Sequence, residues 1–153
     1  MTEMVLGHAE TAAEIAACFP VMAQLRPHLS DSEELVRRVI RQRESGYRLL
    51  AAWRGGVPAG LAGYRVEENL IYGRFVYVDD LVTAEGERGG GIGACLLDAV
   101  AAEGQRLGCA WLVLDKATHP VTGHPTSTPP QSVHFARLKK PQVTLCTPRK
   151  TPK

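Results

Sequence analysis

Arg88-Gly89-Gly90-Gly91-Ile92-Gly93-Ala94 places four glycines within five positions, between an alternating apolar stretch and the first turn of a helical one. Glycine lets backbone approach a ligand closely, and the unpaired N–H groups of a helix start point outward with partial positive charge. Such a loop is a cradle for an anion, and a pyrophosphate is its natural guest. The plainer reading is a flexible turn.

On either side of the loop the pattern is regular. Arg74 to Val82 alternates as a strand, with Phe75, Tyr77, Asp79 and Leu81 on one face and Val76, Val78, Asp80 and Val82 on the other. From Gly91 to Leu107 the spacing predicts a helix with Ile92, Leu96, Ala99 and Val100 inside and Gly108 closing it, and Ala110 to Leu114 reads as a buried strand that ends at Asp115. Upstream, Met4 to Leu6 forms a short strand. Ala12, Ile15, Ala16, Phe19 and Met22 recur at helical spacing, with Pro20 kinking or dividing that helix. Ser30 and Glu33 fit a capping box for a second helix with a stripe of Leu35, Val36, Val39 and Ile40, and Gly46 stands at its end. Tyr47 to Trp53 and Val57 to Val66 then form a hairpin across Arg54-Gly55-Gly56. The predicted order is βααβββαβ.

Three phosphate-binding readings compete for the loop. A phosphate loop of the nucleotide-hydrolase kind needs a lysine, and residues 1 to 115 contain none. A dinucleotide fingerprint is matched by Gly89-x-Gly91-x-x-Ala94 with Asp115 as the ribose acid. Against it, Thr83 to Arg88 separate the strand from the loop, and the 38 residues after Asp115 are too few and too proline-rich for the remaining strands. In the third reading Arg88 and the amides from Gly89 to Gly93 wrap the phosphates of coenzyme A.

Arg88-x-x-Gly91-x-Gly93 resembles the signature of the GNAT superfamily of N-acetyltransferases, and it lies between the elements that match the fourth strand and third helix of that fold. Tyr77-Val78-Asp79-Asp80-Leu81-Val82 is similar to the superfamily's central acidic-apolar strand, and Leu25-Arg26-Pro27-His28-Leu29 to a first-helix segment of its bacterial members. The resemblance covers about residues 3 to 115. It implies an α+β fold with a bent, mixed, mostly antiparallel sheet flanked by helices, and acetyl-CoA as cosubstrate. It also implies that the sheet splays open beside a bulge in the fourth strand, where the main chain of Leu81, Val82 and Thr83 pairs with the pantetheine arm, while Arg88, Gly89, Gly90, Gly91, Ile92, Gly93 and Ala94 hold the pyrophosphate.

The expected reaction is direct acetyl transfer to a primary amine of a small molecule or peptide, which requires a base to deprotonate the amine. Asp79 and Asp80 are the candidates. If the strand is regular, one of them faces away from the site. Two adjacent carboxylates would attract a cationic acceptor such as a polyamine, an aminoglycoside or a lysine-like amine. Tyr77 is expected in the core and Cys95 in helix packing. The alternatives are an acyl-CoA-binding module without efficient catalysis and, third, a dinucleotide-binding protein.

Residues 116 to 153 read differently from the core. Residues 1 to 115 carry 11 Arg, no Lys and 16 carboxylates, whereas 116 to 153 carry seven basic side chains, no acid and seven of the ten prolines. The superfamily's later tyrosine, which protonates the departing thiolate, is missing, since no tyrosine follows Tyr77. A strand near 132 to 137 still resembles the family's last one. Translation of residues from about 116 onward partly in a shifted reading frame would account for the change in composition, and sequencing the locus with its flanks tests it. Nucleic-acid binding by this basic tail is disfavoured. No metal is expected, because His119, His124, His134 and Cys146 lack ligand spacing. The four scattered cysteines read as free thiols. With no basic secretory start and no apolar run near the length of about 20 residues that spans a bilayer, the expectation is a cytoplasmic protein away from membranes. The resemblance adds a homodimer as the expected assembly.

Overall fold

The computed structural model describes residues 3–115 and 133–137. In chain order it contains β1 (Met4–His8), α1 (Ala12–Ala17), α2 (Phe19–Leu25), α3 (Ser32–Arg43), β2 (Arg48–Arg54), β3 (Val57–Asn69), β4 (Gly73–Thr83), α4 (Ile92–Arg106), β5 (Trp111–Asp115) and β6 (Val133–Arg137), with a 3₁₀ turn at Glu85–Glu87. The six strands lie in one sheet in the order of the chain. All neighbours are antiparallel except β4 and β5. A doubly wound dinucleotide fold needs a mostly parallel sheet, so that reading is removed. The strand expected near 132 to 137 is present as β6; the rest of the 116–153 segment lies outside the described residues.

Local chemistry explains where the elements start and stop. Proline lacks the N–H that a helix interior needs, so the first helical stretch divides at Cys18, and Pro20 falls in the first turn of α2, where no such bond is required. α1 is capped reciprocally by Thr11 and Glu14. For α3 the predicted Ser30–Glu33 box is corrected: Asp31 is the cap, accepting from the Glu34 amide at 2.8 Å, while Glu34 reaches back to the Ser30 amide at 2.7 Å. The box is offset by one residue because aspartate competes well for the cap position. Gly55 and Gly56 both have positive φ, as the two-residue hairpin between β2 and β3 demands.

The sheet separates two cores. Tyr47, Leu49, Ala51, Leu61 and Val82 face α1 to α3 and pack with Ile15, Met22, Leu35 and Val39. Leu50, Ala52, Ala62, Tyr64, Val76 and Val78 face α4 and pack with Ile92, Leu96 and Val100. Each fully buried aliphatic side chain contributes about 1.5–3 kcal/mol. Ile40, expected in the α3 stripe, is instead 48% exposed, one step outside the face set by Leu35 and Val39. α4 sits close because residue 60 is glycine: a Cβ there would lie 2.6 Å from Ile92 Cγ2 and 3.1 Å from Leu96 Cδ1. Cys18 and Cys109 are free and buried, whereas Cys95 is disulfide-bonded, so the free-thiol expectation fails there.

Candidate active site

β4 is not regular. Gly63 and Tyr64, consecutive on β3, pair with Asp80 and Val78 on β4, and Asp79 between them has no counterpart. An extra residue in one strand reverses which face the following side chains occupy. Val76 and Val78 accordingly lie in the α4 core, whereas Val82 lies in the core under α1 to α3 and Leu81 packs toward α4. This overturns the expectation that Val76, Val78, Asp80 and Val82 share a face. Nor does one aspartate turn away, as a regular strand would require: Asp79 and Asp80 line the same cleft of about 320 Å³, with Met22, Arg26, Arg38, Gln42, Tyr47 and Arg65 among its other walls.

The two carboxylates are held differently. Asp80 accepts from Arg26 Nε at 2.9 Å through Oδ1 and from the Tyr47 hydroxyl at 2.8 Å through Oδ2. Asp79 is bound through Oδ2 alone, by Arg65 Nε at 2.8 Å and Nη2 at 2.7 Å, and its Oδ1 makes no hydrogen bond among the described residues. Burial pushes the Asp79 carboxyl above the ordinary aspartate range, against the pull of the Arg65 guanidinium, and the neighbouring Asp80 charge adds to the rise. Arg65 is braced in turn by Gln42 Oε1 at 2.9 Å and by the face of the Tyr47 ring, 5.5 Å from its centroid. Burial, then the Asp80 charge, hold Tyr47 well above the usual phenol range, so its hydroxyl stays a donor.

Tyr47 reaches Asp80 because residue 63 is glycine. A Cβ at that position would collide with the Tyr47 hydroxyl and lie 2.7 Å from Asp80 Oδ2. Arg26 fixes the backbone as well as the side chain, since its Nη2 donates to the Asp79 carbonyl at 2.9 Å.

The bulge coincides with an opening in the sheet. β5 pairs with β4 only from Phe75 to Val78, while β3 follows β4 to Thr83. The far edge of Asp79 to Thr83 therefore has no strand beside it among the described residues, and its main-chain groups are the kind an extended ligand completes. Beyond this edge lies the start of α4. Gly91 is its cap with φ 81°, no side chain closes the cap, and Gly89 also has positive φ. A Cβ at Gly93 would stand 3.7 Å from Thr83 Oγ1, which brings the loop against the end of β4. Arg88, Gly89, Gly90, Gly91 and Ala94 are exposed, whereas Ile92 is buried under β3. Outward amides, small residues and an exposed arginine at a helix start fit a pyrophosphate, and the open edge fits a chain of amides leading to it.

Sequence reasoning picked out both aspartates and the loop but assigned no role to Arg26, Gln42, Tyr47 or Arg65. Only their proximity reveals them, because they come from α2's end, α3, the entry to β2 and β3. A second cleft of about 380 Å³, lined by His8, Glu10, Arg43, Tyr47 and Arg48 among others, lies at the β1–β2 end. No group of three or more metal-ligating side chains occurs among the described residues, and none of their helices is long and apolar enough to cross a membrane.

An α+β sheet that opens beside a glycine-rich helix start is the architecture of acyl-CoA-dependent acetyltransferases. The chain belongs to the acetyltransferase (GNAT) family, whose model matches residues 10–122. Solved structures similar to it include ribosomal-protein-alanine N-acetyltransferase from Brucella melitensis biovar Abortus 2308, 22% identical, TM-score 0.63, covering 78% of this chain and 83% of that one. Glucosamine-6-phosphate N-acetyltransferase from Arabidopsis thaliana is 16% identical at TM-score 0.65, covering 82% and 97%. AAC(6')-Iy in complex with the bisubstrate analogue CoA-S-monomethyl-acetylneamine is 17% identical at TM-score 0.64, covering 78% and 83%. At these identities the likeness concerns the fold. No curated protein matches the sequence.

Proposed function

We propose that this protein transfers an acetyl group from acetyl-CoA to a primary amine of a small molecule or peptide, with Asp79 as the base. The observation that carries this reading is the bulge, which turns Asp79 and Asp80 into one cleft where β4 parts from β5. Acetyl-CoA supplies the activated thioester. The open edge at Leu81, Val82 and Thr83 suits its pantetheine arm, and Arg88 with the residues from Gly89 to Ala94 suits its pyrophosphate. Asp79 is preferred to Asp80 because its Oδ1 accepts no hydrogen bond among the described residues and burial raises its proton affinity, whereas both oxygens of Asp80 are engaged. A base near the working pH transfers protons best. Asp80 then positions: it ties Arg26 and Tyr47 to the bulge. The cytoplasm is the proposed compartment.

A second reading has its own support. No tyrosine follows Tyr77, and a general acid contributes about 10²–10⁴-fold, so an acyl-CoA-binding module with little turnover is the alternative. A thermal melt with acetyl-CoA and with NADH, followed by acetyl transfer to a panel of amines, separates the readings. At about 100 times its Kd a ligand adds roughly 2.7 kcal/mol and moves the midpoint by several degrees. Stabilisation by acetyl-CoA with turnover supports the enzyme, stabilisation without turnover supports the module, and stabilisation by neither ligand sinks both.

A further inference from the structure

The charge lining the cleft differs from what its two aspartates imply. Asp79 and Asp80 are the acidic side chains in its wall, and the same wall carries Arg26, Arg38, Arg65 and His28. Each aspartate is already paired with a guanidinium of the cleft, Asp79 with Arg65 at 2.7 Å and Asp80 with Arg26 at 2.9 Å. A polycation entering here would have to displace an arginine to gain a carboxylate, and breaking a part-buried pair is costly. The carboxylates therefore serve as base and brace more than as bait for a second positive charge.

The remaining arginine of the cleft wall is Arg38, with His28 also in the lining, and both are exposed. Arg38 does have a partner, Glu34, outside the lining, which accepts from its Nε at 3.1 Å and Nη2 at 2.9 Å. That contact uses one side of the guanidinium. Glu34 is itself fixed, because the Ser30 amide and hydroxyl donate to its other oxygen at 2.7 and 2.8 Å. The Ser30 backbone bond, its hydroxyl bond and the Arg38 bond together hold the Glu34 carboxyl down at about 2. Arg38 is thus oriented from behind by a carboxylate that Ser30 also holds, and its Nη1 takes no part in the bonds to Glu34. A planar fork of donors held in one orientation is well matched to a carboxylate or phosphate.

We infer that the acceptor is a primary amine that also carries an anionic group, a carboxylate or a phosphate, with Arg38 and His28 selecting the anion while the amine lies toward Asp79. This rests on the proposed acetyl transfer for the amine's role, but the binding preference stands apart from turnover. Calorimetric titration of the full chain saturated with CoA, which has no acetyl group to give, tests it with O-phosphoethanolamine, β-alanine, ethanolamine and spermidine. At least one of the two anionic amines binds ten-fold or more tighter than ethanolamine, and which one does so identifies phosphate or carboxylate. Arg38→Gln removes that preference and Arg38→Lys retains part of it, with melting midpoints confirming that both variants are folded. Spermidine binding as tightly as the best anionic amine overturns the inference. So does an absence of measurable binding by all four amines, or a preference that survives Arg38→Gln. Anion-selective binding with no acetyl transfer to any amine would instead leave this inference standing and sink the transfer reaction.

Discussion

The two halves of β4 obey different rules. From Phe75 to Val78 the strand is paired on both edges, its side chains alternate, and Val76 and Val78 are buried against α4. From Asp79 to Thr83 it is paired on one edge, alternation has been reset by one residue, and its carboxylates face a cleft. One strand thus serves first as scaffold and then as site. The lesson is that a single unpaired residue can convert a buried ladder into a functional rim without changing the course of the chain.

Substitutions on both sides probe that division, in order of decreasing expected effect. Asp79→Asn strikes the site half: kcat falls by about 10²–10⁴-fold, the range for loss of a general base. A comparable loss from Asp80→Asn with Asp79→Asn nearly silent would reverse the two roles. Gly63→Val attacks the geometry that joins the halves, since its side chain must displace Tyr47 or Asp80. Denaturant unfolding should show a loss of about 1–3 kcal/mol, in the range of overpacking, together with lost activity. Val78→Ala strikes the scaffold half and should cost roughly 2 kcal/mol of stability. Its turnover per folded molecule stays close to that of the parent, and a collapse of kcat here would break the division.

Tyr47→Phe removes the hydroxyl that donates to Asp80 at 2.8 Å. A part-buried carboxylate oxygen left without that donor costs on the order of 1 kcal/mol, read by the same unfolding titration. Arg65→Gln is read in the pH profile, which it displaces. The guanidinium lowers the Asp79 proton affinity while burial raises it. Without it the carboxyl protonates at higher pH, so the acid limb of kcat/KM moves upward. The same sign appears in stability: a carboxyl raised on folding favours the folded state while protonated, and that contribution is lost as pH rises through its folded pKa.

Much of the fold was legible because it follows from local chemistry. Pro20, the Gly55-Gly56 turn and the Ile92, Leu96, Val100 stripe each act within a few residues of themselves, and each element they imply is present. The family signature at Arg88 to Gly93 led to the right fold because the loop lies where β4 ends and α4 begins. The family resemblance implied a bulge in this strand, but its position was not legible in the residues. Nothing in Val78-Asp79-Asp80-Leu81 marks an extra residue, because the mismatch exists only relative to Gly63 and Tyr64 on another strand. Arg26, Tyr47 and Arg65 were missed for the same reason: their partners lie 54, 33 and 14 residues away. Even the offset cap at Asp31 reflects two adjacent residues that both suit the position, a contest decided by the path of the incoming chain.

The cleft's strong cations are all arginines, and residues 1 to 115 contain no lysine at all. A guanidinium remains protonated throughout the working pH range and offers no nucleophilic lone pair, whereas a lysine amine loses its proton readily when buried. The core accordingly has no side-chain amine that an activated thioester can acylate. In the proposed reaction the acceptor meets no rival among the side chains of residues 1 to 115, and that core cannot be modified on a lysine by its own cosubstrate.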